Sequence, residues 1–398
     1  MQEEVKAQIA LRAHLCDKVT SGKYILGVLL WSVLSIHTYA QPTLPIPDHI
    51  VILILENHGY TQIIDAPSAP FINSLVNDPT TALFIESYGI EHPSQPNYLD
   101  LFSGSNQGVT NSNVPANHPF TTANLARQLM DAGKTFIMYS EDLPYVGYDG
   151  PGSGNYARKH NPVANWMGQG TNQVTETTNQ PYSAFPSTDF SQLPTVCFVA
   201  PNQANDMHNG VDTARILVGD TWVHDNMDDY IQWAKTNNSL FILTFDEDER
   251  GQRNHILTLM TGPMVKPGQY DEVINHYSIL RTIEDMYGLP YAGNASSVAP
   301  ITDCWNSLND INESGENIPG ITIYPNPSDG SFSIESGTSG LEKNISIEIF
   351  DLSGRKVFEA PTTTSFPIKV DVQNIDAGIY FVRASSGCNL FIRKIIVQ

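Results

Sequence analysis

Hydrophobic and polar positions along residues 49 to 290 follow two alternating rhythms. His49 to Leu55 is a near-continuous apolar run, the mark of a strand buried on both faces of a parallel sheet. Thr81 to Tyr88, Thr135 to Tyr139, Thr195 to Ala200, Ser239 to Phe245 and His255 to Met260 are further strand candidates. Helical spacing occupies Thr122 to Ala132, Val211 to Trp233 and Tyr277 to Tyr287. Strands alternating with helices predict an α/β layered domain around a mostly parallel sheet. In such sheets, active sites collect at the carboxyl ends of the strands. Residues 141 to 194 follow neither rhythm and are rich in Gly, Asn, Pro, Tyr and Ser, as expected of a functional lid or binding loop.

The pattern changes after a polar stretch that begins at Asn306. Short β-runs follow, from Ile321 to Tyr324, Phe332 to Glu335, Ile345 to Phe350, Ile368 to Val372, Ile379 to Ala384 and Leu390 to Val397. Turn residues punctuate them, which predicts a small all-β sandwich of about 80 residues. At the other end, Lys18 and Lys23 precede an apolar run from Tyr24 to Ile36, and Thr38-Tyr-Ala40 follows. That run is shorter than the roughly 20 residues of a membrane span and suits a cleaved signal peptide. The expected division is a signal peptide over 1–40, a catalytic domain over 41–305, a linker over 306–318 and a second domain over 319–398. No later segment carries 18 consecutive apolar residues, so no transmembrane anchor is expected in the mature chain.

Charge narrows the partners. The 398 residues hold 21 Lys and Arg against 42 Asp and Glu, a net charge of −21. Such a chain is repelled by phosphate backbones and anionic membrane surfaces, which argues against nucleic acid as a partner. At 41% hydrophobic and 16% charged, it can still bury a core. Without Cys16 of the leader, Cys197, Cys304 and Cys388 remain, an odd set with no zinc-like spacing. Cys197, in Thr195-Val-Cys-Phe-Val199, reads as a small buried hydrophobe.

Polar residues gather at several predicted strand ends. The first strand ends in Glu56-Asn57, oxygen donors able to hold a hard cation or simply to form a polar turn. His92-Pro-Ser-Gln-Pro-Asn-Tyr98 opens an apolar helical stretch, with Pro96 suited to a first turn. Ser94 there is equally an ordinary N-cap or a nucleophile whose developing charge the helix terminus favours. Asp246 and Glu247 end another strand within Asp-Glu-Asp-Glu249, either an acidic solvated turn or more cation ligands. Asp206 and His208, Asn254-His255 and Lys159-His160-Asn-Pro162 complete the candidates.

Together these groups resemble a known family. Glu56-Asn-His-Gly-Tyr60, His92-Pro-Ser-Gln-Pro-Asn-Tyr98, Asp206-Met-His208, Asp246-Glu247, Asn254-His255, Gly262-Pro-Met-Val-Lys-Pro-Gly268 and Tyr277 to Gly288 recur in this order in the phosphoesterase family. That family contains bacterial acid phosphatases and phospholipases C within the alkaline phosphatase-like superfamily. The resemblance implies an alkaline phosphatase-like three-layer fold and a covalent phosphoserine on Ser94. It places a divalent metal (magnesium, calcium, manganese or zinc) on Glu56, Asn57, Asp246 and Glu247. It gives His160, Asp206, His208 and His255 to the substrate or a second metal, with His160 able to protonate the leaving group. Asn113 is a further candidate phosphate contact.

Dinuclear zinc relatives have an Asp-His pair where this chain has Asp246-Glu247, and Asp where it has Glu56 and Asn202. Oxygen-only ligands favour a single hard cation over zinc. Tyr324-Pro-Asn-Pro-Ser-Asp-Gly330, Ile349 to Arg355, Ala377 to Val382 and Lys394 to Val397 resemble the type IX secretion sorting domain of Bacteroidetes. That implies the type IX machinery as a partner and a secreted or cell-surface protein. The expected function is a metal-dependent acid phosphatase acting on small phosphate monoesters. The alternatives are a phospholipase C or other phosphodiesterase with a phospholipid substrate, or a catalytically inactive surface-binding protein. A sulfatase is disfavoured, because the residues from Ser94 lack the Arg of the sulfatase signature.

Overall fold

The computed structural model describes residues 44–306 except 252, and 321–398 except 337–344, 352–354, 364–365, 373–374 and 387–388. The expected signal peptide and nearly all of the expected linker lie outside the described residues. Asn306, the linker's first expected residue, is bonded through its amide to Pro263 O (3.0 Å) and Val265 O (3.1 Å).

The α/β part is built on nine strands. They are β1 (His49–Leu55), β2 (Thr81–Tyr88), β3 (Phe136–Ser140), β4 (Asn179–Pro181), β5 (Val196–Ala200), β6 (Ser239–Phe245), β7 (His255–Thr261), β8 (Gly268–Tyr270) and β9 (Ile274–Asn275). The order is β4-β3-β5-β1-β6-β7-β2-β8, with β9 also beside β2. Only β7 runs antiparallel to its neighbours β6 and β2; the other pairings are parallel. The mostly parallel sheet expected from the sequence is thus present. The reversal of β7 brings its amino end, at His255, to the edge where the parallel strands end.

Strand side chains alternate between faces, so one strand feeds two cores. Ile50, Ile52 and Ile54 of β1 join α2 (Ser94–Ser103), α3 (Leu125–Asp131) and α5 (His276–Tyr287). Val51, Leu53 and Leu55 join α1 (Pro70–Val76) and α4 (Asp212–Ala234) on the opposite face. Both faces of β1 are therefore dry, which explains its unbroken apolar run. The helix expected from Thr122 begins only at Leu125, because the Asn124 side chain accepts from Arg127 N and caps it there.

Residues 141–194 hold five short 3-10 turns and β4. Trp166 anchors them, buried edge-on against Phe102 (5.3 Å) and Phe120 (4.9 Å). After the linker, the all-β expectation is met. Strands β10 (Ile321–Tyr324), β11 (Ser331–Ser336) and β14 (Ile368–Asp371) form one antiparallel sheet. Strands β12 (Ile345–Asp351), β13 (Lys356–Thr363), β15 (Gly378–Ser386) and β16 (Asn389–Val397) form the other. Ile334, Ile347, Ile349, Val370 and Val382 fill the core between them.

Candidate active site

The site lies where β1 and β6 end and α2 begins. Asn97 shapes the entry to α2: its Oδ1 accepts from Ile90 N and Glu91 N, and its Nδ2 donates to Glu91 O. The chain is thereby folded so that Ser94 is the first residue of a ten-residue helix, where the positive end of the helix dipole favours an anion. Ser94 is 1% exposed. Its Oγ lies 2.9 Å from Glu56 Oε2 and 3.1 Å from Glu247 Oε1, so its one proton can go to either carboxylate. Asn57, in the left-handed region that asparagine tolerates (φ 54°), donates from its Nδ2 to Ser94 Oγ at 3.3 Å. Its backbone N donates to Asp246 Oδ1 at 2.9 Å.

His160 stands between two acids, with Nε2 3.1 Å from Glu56 Oε2 and Nδ1 3.3 Å from Asp206 Oδ2. Both distances are ion-pair contacts lying off the hydrogen-bond direction. Asp206 is fixed in turn by Glu56 N, which donates to its backbone oxygen at 2.9 Å. Ser94, Glu56, Asn57, Asp246, Glu247, His160 and Asp206 therefore form one contact network. His208 and His255 engage other partners. The His208 ring meets Asn209 Oδ1 at 3.0 Å, although its backbone N donates to Asp206 Oδ1. The His255 ring bonds Ile85 O at 2.9 Å and stacks on Tyr60. Asn113 lines a neighbouring cavity, and Asn202 donates to Asp142 Oδ2.

The structure adds two residues to this set. Tyr98 donates to Glu56 Oε1 at 2.5 Å and stacks on the His160 ring at 5.3 Å. It stands four residues after Ser94, the spacing that puts two residues on one helix face, so the sequence did carry that signal. His92 pairs through Nδ1 with Glu247 Oε2. The two residues are 155 positions apart, and no local pattern announces the pairing.

Electrostatics separate the four carboxylates. Burial works to raise the Glu56 carboxyl, but His160, Lys159 and the Tyr98 hydroxyl outweigh it and hold the group well below the usual range. Asp246 is pushed far up by burial and by the charges of Glu56 and Glu247. Glu247 and Asp206 are raised chiefly by burial, partly offset by His92 and His160 respectively. Burial would lower His160, yet Glu56 and Asp206 raise it overall. Asp246 Oδ2 is buried with no hydrogen-bond partner among the described residues. Crowded carboxyls with one oxygen unsatisfied are a charge pattern that a hard divalent cation relieves, and the donors are all oxygen. Glu56, Asn57, Asp246 and Glu247 therefore fit such an ion, although no ready-made cluster of three His, Cys, Asp or Glu ligands stands among the described residues. Cys197 and Cys304 are buried free thiols away from this chemistry.

A protein of the alkaline phosphatase superfamily from Vibrio parahaemolyticus superposes with a TM-score of 0.47 at 11% identity, covering 90% of this chain and 85% of that one. The phosphatidylinositol-3-phosphatase of Mycobacterium tuberculosis is 43% identical over 289 residues, 71% of this chain and 93% of that protein. The phosphate-repressible acid phosphatase of Penicillium chrysogenum is 30% identical over 53% of each chain, so this chain spans about half of that relative. Residues 322–398 match the secretion system C-terminal sorting domain. Residues 64–290 match the phosphoesterase family, and the chain belongs to that family of ester hydrolases.

Proposed function

We propose that the protein is an exported, metal-dependent phosphatase that hydrolyses phosphate monoesters through a phosphoserine on Ser94. One observation carries the reading: a buried serine hydroxyl at a helix N-terminus lies within 2.9 and 3.1 Å of two carboxylates. In the first step the Ser94 Oγ–P bond forms and the P–O bond to the leaving group breaks. The Ser94 proton departs along one of its carboxylate contacts, and His160, kept protonated between Glu56 and Asp206, supplies a proton to the leaving oxygen. Water then attacks phosphorus as its proton passes to the now neutral His160, the Oγ–P bond breaks, and Ser94 Oγ regains the proton held on the carboxylate. A divalent ion on Glu56, Asn57, Asp246 and Glu247 would lower the pKa of the serine and neutralise phosphoryl charge.

The names of the relatives, an acid phosphatase and a phosphatidylinositol-3-phosphatase, favour monoesters over a phospholipase C activity. The sorting-domain match supports export, and no helix among the described residues is long and apolar enough to cross a membrane. Hydrolysis of p-nitrophenyl phosphate and bis-p-nitrophenyl phosphate, with and without EDTA, tests the reading. Metal-dependent turnover favouring the monoester, lost by at least about 1,000-fold in Ser94→Ala, is expected. Preference for the diester selects the phosphodiesterase reading. No turnover with any added divalent ion selects a narrow lipid substrate or the binding-protein reading.

A further inference from the structure

A cavity of about 500 Å³ adjoins the site. Its walls continue from the residues that flank the chemistry. Gln95 follows Ser94 on α2, and its Nε2 donates to Asn111 O (3.2 Å) and Asn113 O (2.8 Å), fastening one wall beside the nucleophile. Lys159, which precedes His160, also lines the cavity together with Arg158. Gln203 lines it as well, and its backbone N donates to Asn155 O at 3.0 Å.

The charge of this cavity is opposite to that of the chain. Two cations line it and no carboxylate does, in a protein of net charge −21. Arg158 is committed to the scaffold: Nε donates to Asp149 O, Nη1 to Asn165 Oδ1 and Nη2 to Ala164 O. Lys159 is half-buried, and its ammonium makes no hydrogen bond or ion pair among the described residues. It precedes His160 in the same 3-10 turn and shares the cavity lining with Gln95, the residue after Ser94, and its charge helps hold Glu56 ionised. A partly desolvated ammonium with no carboxylate bonded to it is favourable ground for an anion. The amides of Gln95, Asn113 and Gln203 and the hydroxyl of Ser112 add hydrogen-bonding groups for a hydroxylated ligand.

We propose that this cavity is the leaving-group subsite and that Lys159 selects phosphate monoesters of polyols that carry a second phosphate. The assignment rests on the phosphatase reading, with Ser94 and the carboxylates serving the transferred phosphoryl group. The second phosphate can belong to a soluble bisphosphate or to the diester of a lipid headgroup.

Two substrate pairs differing in that group separate the sources: fructose 1,6-bisphosphate against fructose 6-phosphate, and short-chain phosphatidylinositol 3-phosphate against inositol 3-phosphate. The protein is expected to favour the doubly phosphorylated member of at least one pair by about 10–100-fold in kcat/KM. Preference in the lipid pair alone assigns the headgroup, and preference in the soluble pair assigns the free bisphosphate. Lys159→Met should abolish the preference through KM, bringing the doubly phosphorylated member to the level of its partner, and Lys159→Arg should restore part of it. No preference in either pair, or a preference that survives in Lys159→Met, overturns the assignment. If none of the esters is turned over, the phosphatase reading itself fails, and calorimetry on Ser94→Ala decides the subsite alone. Tighter binding of fructose 1,6-bisphosphate than of fructose 6-phosphate, lost when Lys159→Met is added, supports it; equal binding overturns it.

Discussion

At Ser94, backbone and side chain favour the same charge distribution. The helix terminus offers positive potential, and the Glu56 and Glu247 carboxylates lie within hydrogen-bond reach of the hydroxyl, where in the proposed reaction they would take its proton. Buried acids elsewhere behave differently. Glu284 of α5 accepts from Ala292 N (2.7 Å) and Gln128 Nε2 (3.1 Å) on one oxygen, and its other oxygen has no partner among the described residues. Burial raises its carboxyl from 4.5 to about 7. Between those values the folded state binds the extra proton, so this group's contribution to stability falls as pH rises from 4.5 to 7. Glutamine mimics the protonated acid. Urea unfolding of Glu284→Gln should therefore show near-equal stability at pH 5 and a gain over the native protein of roughly 2–3 kcal/mol, at most, at pH 8. Parallel pH profiles for the two proteins would exclude a raised Glu284.

At the scale of elements, the carboxyl edge of the sheet is held together by a close backbone approach. Gly89, just after β2, donates its N to Asn254 O, and a Cβ there would lie 2.7 Å from Asp246 O and 2.9 Å from Asn254 Cγ. Asn254 also accepts from Asp248 N and donates to Glu91 O, so one asparagine ties three loops of the site. Gly89→Ala should displace the Asp246 turn, costing about 1–3 kcal/mol of stability and more than 10-fold in activity. Thermal melts and steady-state rates measure both, and an unperturbed variant would deny that this contact positions Asp246.

Elements differ in how far the chain announced them. β1 and β6 were legible because both faces are buried and the residues are apolar throughout. β4, β8 and β9 have two or three residues each, too few for any rhythm. β13 borders its sheet and is mostly exposed or half-buried where described, so it lacked the alternation of β12. Order and spacing named several residues that the structure brings into contact, but ring orientation could not be read from them. His208 and His255 sit beside the right strands and turn to Asn209 and Ile85 instead.

For the whole molecule, acidity and function fit together only through local exceptions. A chain of −21 gathers Ser94, His160 and Lys159 at one sheet edge, and sequence-wide charge gave no hint of a cavity lined by cations. The sorting-domain match at 322–398 belongs to a separate β-core and leaves the chemistry to residues before the linker. The central claim is that Ser94 becomes covalently phosphorylated. Acid quenching during turnover of p-nitrophenyl phosphate with added divalent metal, followed by peptide mass analysis, tests it most directly. The account predicts one phosphoryl group on the peptide containing Ser94, absent after EDTA and absent in Ser94→Ala. Steady turnover with no phosphorylated peptide, or with the label on another residue, would contradict it.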